Sequence, residues 1–399
     1  MTWAETTVGA EFEVQLGKML DSERNNGESK LYVGNRAVQW GRIDLAAAGH
    51  VPLTKSDQLK FRLRRGDLLV CEGGEVGRGA IWDYDIECYF QKAIHRLRTR
   101  RDYRPEVLLG LLELRAKSSG FADYVTQTSI AHLPKDKFLT LPIPSIPAAD
   151  QERIAAVLAS ANDLVASLER LIAKKRAIKQ GLMQELLTGR TRLPGFSGEW
   201  ERVLLRDVAI VDPDSLSSAT TPAEEVIDYI SLEDVSTGSI LGSRPYRFSD
   251  APSRARRQLR SGDVLFGTVR PNLQSHARYP GGLRNPVAST GFAVIRSRAR
   301  TTESSFLAQW VLSTEVMAQI DRIIAGSNYP AVSSTDVRNL ELSKPTATEQ
   351  VAIGEVLQDA DAEIEALGRR LEGARDVKQG MMQELLTGRT RLVPSGATA

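Results

Sequence analysis

The chain has 399 residues, 42% of them hydrophobic and 26% charged, and a formal net charge of +2. That length predicts two to four domains, and the composition is that of an ordinary globular protein. The longest apolar run, around Val107–Leu114, falls far short of the roughly 20 residues that span a bilayer, and MTWAETTVGAEFEV has neither a basic n-region nor an apolar h-region. The expected location is therefore cytoplasmic.

In chain order, LRRGDLLVCEGG reads as a turn entering a buried strand. The glycine-rich stretch Gly73–Gly79 reads as a hairpin: the segment after it, Ala80-Ile81-Trp82, looks like a strand, whereas a phosphate cradle wants a helix start. The hairpin backbone and Arg78 could still meet a DNA phosphate. KAIHRLRT reads as a strand ending in arginines, with His95 in a structural role, and PEVLLGLLEL as a short helix. Cys71 and Cys88 fall in apparent strands and are expected to be buried thiols, with a disulfide as the alternative.

From Gln151 the pattern changes. Ile154, Leu158, Ala161, Val165, Leu168, Ile172, Lys175, Lys179, Leu182 and Leu186 step by four and three, a coiled-coil seam. Gly189 is a natural helix stop. The expected helix is about 38 residues, roughly 57 Å long.

The second half repeats this plan. LRSGDVLFGTVR matches LRRGDLLVCEGG, SSFLAQWVL reads as a short helix, GFAVIRSR as a strand ending in arginine, and Trp200 answers Trp3. The second seam runs Ile353, Leu357, Ala360, Ile364, Leu367, Leu371, Ala374, Lys378, Met381 and Leu385, stopping at Gly388. Lys179–Leu193 and Lys378–Leu392 are identical at fourteen of fifteen positions, 199 residues apart. An internal tandem repeat follows. Its parts are globular domains at 1–150 and 197–349, a long helix with linker at 151–196, and a long helix with tail at 350–399. The fold class is α/β (α+β) globular domains joined by two antiparallel coiled-coil helices about an internal pseudo-two-fold axis. Gly181 and Gly380, inside those helices, predict either a close helix contact or a local bend.

Chemistry is scarce. There is no P-loop motif. Asn285-Pro286-Val287 lacks the second proline and the aromatic of amino-methyltransferases, and the four histidines have no metal-ligand spacing. No catalytic residue and no metal site is expected. Charge is patterned instead: eleven Lys/Arg lie between Lys60 and Arg104, and twelve Arg between Arg244 and Arg300. Basic faces on a near-neutral chain fit nucleic-acid contact, with an ordinary solvated surface as the alternative. Polar loop residues suited to base edges are Arg78, Gln127, Thr128 and Ser129 in the first half, and Arg270, Asn272, Ser327, Asn328 and Tyr329 in the second.

Two diverged domains, each opening near a Trp, carrying a Gly-Asp strand and ending in a Pro-x-x-x-x-Gln long helix with KQGLMQELLTGRTRL, resemble the specificity subunits of type I restriction-modification systems. The resemblance covers essentially the whole chain. It implies a non-catalytic DNA-binding subunit whose two domains read the halves of a split, asymmetric site. It implies that the helices set the spacing and dock two modification (methyltransferase) subunits. Residues Leu168, Ile172, Leu182, Leu186, Leu367, Leu371, Met381 and Leu385 would serve that helix seam and docking. Two restriction subunits are optional partners. S-adenosylmethionine would sit on the modification subunit, leaving this chain without a cofactor. Two identical partners need one surface twice, whereas two different half-sites need different readers, so identity beside divergence is the expected signature. The competing function classes are a coiled-coil scaffold presenting two protein-binding domains, and a stand-alone nuclease or methyltransferase.

Overall fold

The computed structural model describes residues 3–20, 26–127, 131–325 and 330–392. The chain folds as two compact units, one of Met1–Arg170 with Arg369–Ala399 and the other of Leu171–Gly368. The globular part of each opens with a strand, a short helix and a strand, and each carries a strand that leads into a long helix. No helix among the described residues is long and apolar enough to cross a membrane.

In the first unit, strands Phe12–Leu16, Ile94–Thr99, Leu68–Cys71 and Gly79–Ile81 lie side by side in that order, all antiparallel. Leu68–Cys71 is buried at every position, which explains its unbroken apolar run where a half-exposed strand would alternate. A smaller sheet of Gly49–Leu53, Glu28–Val33 and Tyr89–Phe90 holds its own apolar cluster around Trp82 and Phe90. Both cysteines are buried free thiols, and desolvation pushes Cys71 up to about 11 and Cys88 to about 12.

The second unit repeats the main sheet: Ala209–Val211, Phe292–Ser297, Val264–Gly267 and His276–Arg278, again antiparallel in that order. Here the smaller sheet has four strands, Arg244–Arg247, Val226–Ile230, Pro286–Ser289 and Ala255–Gln258. The units therefore share a frame and differ in what is added to it.

The first long helix runs Ala148–Leu186 and the second Ala347–Leu386. Each starts three residues before the glutamine that opens the heptads. Those glutamines, Gln151 and Gln350, are buried and accept from the backbone N–H of Arg104 and Glu303, joining each long helix to the short helix of its unit.

Within each unit the two helix segments run antiparallel. In the first, Arg375 pairs with Glu169 at 2.6 Å, and Val157, Ala161 and Leu168 face Met381, Ala374 and Arg370 across a shallow groove. In the second, Lys175 meets Glu363 and Lys179 meets Asp361, both at 2.6 Å. Leu168, Ile172, Leu186, Leu367 and Leu385 are buried, and Leu182 and Leu371 are half-buried. Met381 lines the groove of the first unit but is 37% exposed, whereas its neighbour Met382 is 1% exposed. A straight helix drifts about 20° per heptad from a strict seven-residue repeat. Over the four heptads from Ile353 that moves the inward position one residue onward, to Met382.

The duplicated segment is built into the cores. Leu186 and Leu187 pack with Phe306, Leu307 and Trp310 in the second unit, and Leu385 and Leu386 with Leu108, Leu111 and Leu112 in the first. The stop glycines have φ of +70° (Gly189) and +74° (Gly388), a left-handed conformation that glycine adopts without strain. A Cβ on Gly388 would come within 2.7 Å of the Trp3 ring, and one on Gly189 within 3.3 Å of Trp200. Arg391 lies over Trp3 at 4.5 Å and Arg192 over Trp200 at 5.3 Å. The two Trp landmarks and the repeated Thr-Gly-Arg-Thr-Arg thus form one clasp, made once in each unit.

His95 and His276 sit inside the sheets, and desolvation lowers both to about 4. The unfolded chain binds protons near pH 6.5 that the folded chain refuses, so their stability contribution is full above that pH and is lost as pH falls toward 4. At the acid end this is roughly 3 kcal/mol per histidine. His276→Asn should therefore narrow the gap between the melting temperatures at pH 7.5 and pH 5. An unchanged gap would show that His276 is not the group responsible.

Candidate nucleic-acid interface

The Gly-Asp pair has the same structural use in both units. Gly66 (φ +89°) and Gly262 (φ +90°) turn the chain. The aspartate after each is buried, and its carboxylate accepts the backbone N–H of Arg64 at 2.8 Å or Arg260 at 2.7 Å. The same carboxylate then binds an arginine of the neighbouring strand with two hydrogen bonds. Arg98 reaches Asp67 at 2.6 and 2.9 Å, and Arg296 reaches Asp263 at 2.8 and 2.7 Å. The Asp263 carboxylate, helped by Asp214, holds the Arg296 guanidinium above the usual arginine range. The strands that end in arginine are therefore ion-pair partners of the turn that aims the next loop.

Part of the charge in the two basic stretches is paired within the fold. Arg65 pairs with Asp83, Arg257 with Asp212, Arg260 with Asp214 and Arg247 with Glu224. Arg96 is buried against Gln15. Charge counts along a sequence do not separate exposed cations from those neutralised by acids far away in the chain.

Beyond the Gly-Asp strand, both units make the same juxtaposition. In the first, Leu133 N–H donates to Glu72 O at 2.7 Å and Gly73 bridges His132, so the 72–78 hairpin borders the segment that contains Gln127. In the second, Val332 N–H donates to Thr268 O at 3.0 Å, Val269 bridges Ala331, and Arg270 N–H donates to Pro330 O at 2.8 Å. The loop after the Gly-Asp strand and the segment before the next short helix thus form one edge. Gln127 contributes to a short strand, Thr126–Gln127. Thr128, Ser129, Ser327, Asn328 and Tyr329 lie outside the described residues.

Within these loops the candidates differ. Arg78 is half-buried and braces its own hairpin: it donates to Asn35 O at 2.9 Å and to Glu75 at 3.3 Å. Arg270 and Asn272 are exposed. Arg270 and Gln274 both have positive φ (+49° and +53°) and bracket a single turn around buried Pro271. Such backbone costs on the order of 1–3 kcal/mol per residue. Between them, Leu273 stands 62% exposed beside Asn272. Spacing alone could not reveal Asn35 or Trp40, which enter the first loop only through the fold.

No protein-family model matches the chain. It is 21% identical over 295 residues to the type I restriction enzyme MjaVIII specificity subunit of Methanocaldococcus jannaschii, covering 70% of this chain and 69% of that one. The MjaX specificity subunit described from the same organism is 22% identical over 373 residues, covering 88% and 85%. The HindI specificity subunit of Haemophilus influenzae matches a shorter stretch, 27% identical over 140 residues, covering 34% and 30%. Among solved structures, the S subunit of a type I restriction-modification system from M. genitalium superposes with a TM-score of 0.61 at 14% identity, covering 97% of this chain and 96% of that one. A chain from a study of type I R-M complex assembly and conformational transition gives 0.60 at 20% identity, covering 98% of both. In sequence along most of its length, and in fold along nearly all of it, the chain is similar to type I specificity subunits.

Proposed function

We propose that the chain is the non-catalytic DNA-recognition subunit of a type I restriction-modification complex. Its globular parts, 1–150 and 197–349, read the two halves of a split asymmetric site. The observation that carries this reading is the duplicated edge: two four-stranded frames of the same order, each pinned by a Gly-Asp turn, carry different residues at one place. Phosphate contacts hold such an edge in register, and base contacts give it sequence preference.

The long helices act as an antiparallel coiled-coil ruler and as two sockets for modification subunits. Support comes from matching positions of the two helices that stay open to solvent. Ile178 and Val377 are 46% and 57% exposed one turn before Gly181 and Gly380, where a Cβ would meet no described atom within 4 Å. S-adenosylmethionine belongs on the modification partner, and two restriction subunits are optional additions to the assembly. The setting is cytoplasmic.

The test is a map of methylated bases in DNA from cells expressing the chain with its modification partner. Two half-sites with an unread spacer are expected, their centres about 34 Å or a multiple apart if both readers enter one face of the duplex. Exchanging residues 1–150 for another reader should rewrite one half only. Changes in both halves would refute separate readers, and binding that does not weaken with salt would point away from DNA.

A further inference from the structure

We infer that Glu75, rather than Arg78, is the base-reading residue at the tip of the first unit's hairpin, and that it accepts the exocyclic amino group of a cytosine; this rests on the recognition reading above. The hairpin is fixed from several sides. Asn35 donates to Gly73 O at 3.0 Å, and Gly41 N–H donates to Gly79 O at 2.9 Å. A Cβ on Gly77 would strike the Phe121 ring at 2.5 Å, and one on Gly73 would strike His132 at 2.8 Å, so both glycines are pressed against rings that frame the loop. Out of this frame projects Glu75, its side chain 53% exposed.

The carboxylate is aimed. Trp40 Nε1–H donates to Oε1 at 2.5 Å and Arg78 Nη1–H to Oε2 at 3.3 Å. A carboxylate offers about four lone-pair sites. With two occupied by fixed donors, the remaining ones point from a rigid support, as direct readout requires. Arg78 has little freedom of its own, since its other terminal nitrogen is held by Asn35 O.

Charge then selects the ligand. A carboxylate on a DNA-facing edge is repelled by phosphates, by the O6/N7 of guanine, by the O4 of thymine, and by the N7 that stands beside the amino group of adenine. The cytosine N4 amino group is a pure donor in the major groove and is the usual partner of Glu and Asp. Rejection of the other bases is as much a part of specificity as the bond to the right one.

The experiment uses the full chain with its modification partner. The wild-type map should require a C·G pair at one position of the half-site read by residues 1–150. Glu75→Gln should relax that position alone and slow methylation of the original site by about 5- to 150-fold, the worth of one base contact. Trp40→Phe keeps an aromatic ring and removes the indole N–H, so it should relax the same position to a lesser degree; it also serves if Glu75→Gln fails to fold. A bipartite map left unchanged by both variants, or changed in the other half, overturns the assignment to Glu75 alone. A wild-type complex that methylates no bipartite site overturns the recognition reading, and this inference with it.

Discussion

Asp263→Ala is expected to destabilise the second unit by about 3–5 kcal/mol, the usual result of removing one partner of a buried ion pair. The side chain of Asp263 is 1% exposed and that of Arg296 17%. Two hydrogen bonds to Arg296 would vanish along with the acceptor for Arg260 N–H. Arg296 would keep only Asp214. Asp263→Asn retains an acceptor for the turn while losing the charge, so it should fall between the two. Asp67→Ala should cost less, because Arg98 is 24% exposed and can turn to water. Chemical denaturation followed by circular dichroism gives the comparison. A loss under about 1 kcal/mol for Asp263→Ala would mean that the Gly-Asp turn does not hold the frame. The methylation map adds a second readout: a loosened frame should weaken reading of one half-site and leave the other untouched.

How much of this was legible depends on the range of the interactions involved. The long helices, their stop glycines and the buried strands Leu68–Cys71 and Val264–Gly267 follow from local periodicity and from φ preferences within a few residues. The duplication is visible as plain identity. The Arg98–Asp67 and Arg296–Asp263 pairs are not, because each joins residues 31 or 33 positions apart on neighbouring strands. The same limit hides which arginines of the two basic stretches carry an acidic partner. Met381 is more exposed than its heptad position implies for a geometric reason: heptad counting assumes 3.5 residues per turn, and the helix keeps nearer 3.6. In the candidate site, the exposure of Arg270 and Asn272 fits their polarity. The inward commitment of Arg78 depends on Asn35, which only the tertiary fold brings near.

Leucine at both Gly181 and Gly380 is expected to leave the isolated chain folded and to abolish its assembly with the modification partner. Glycine inside a helix costs about 1 kcal/mol relative to alanine, and at these two positions the described chain gains no packing in return, since a Cβ would meet nothing within 4 Å. Neither helix breaks at these points: both continue to Leu186 and Leu386. The remaining use is close approach by a partner helix, next to exposed Ile178 or Val377. Gly181→Ala with Gly380→Ala should accordingly raise the melting temperature of the chain by an amount worth about 1 kcal/mol per site or less. The leucine variants should keep that stability and fill the space a partner needs. Gly181→Leu alone should reduce the complex from two modification subunits to one, and the double variant from two to none, as read by light scattering after size exclusion. Full assembly of the double variant would place docking elsewhere. A collapse of the isolated chain would instead show that these glycines serve its own fold. The leucine-to-alanine contrast separates the two: a structural role loses stability with either residue, and a docking role loses only the partner.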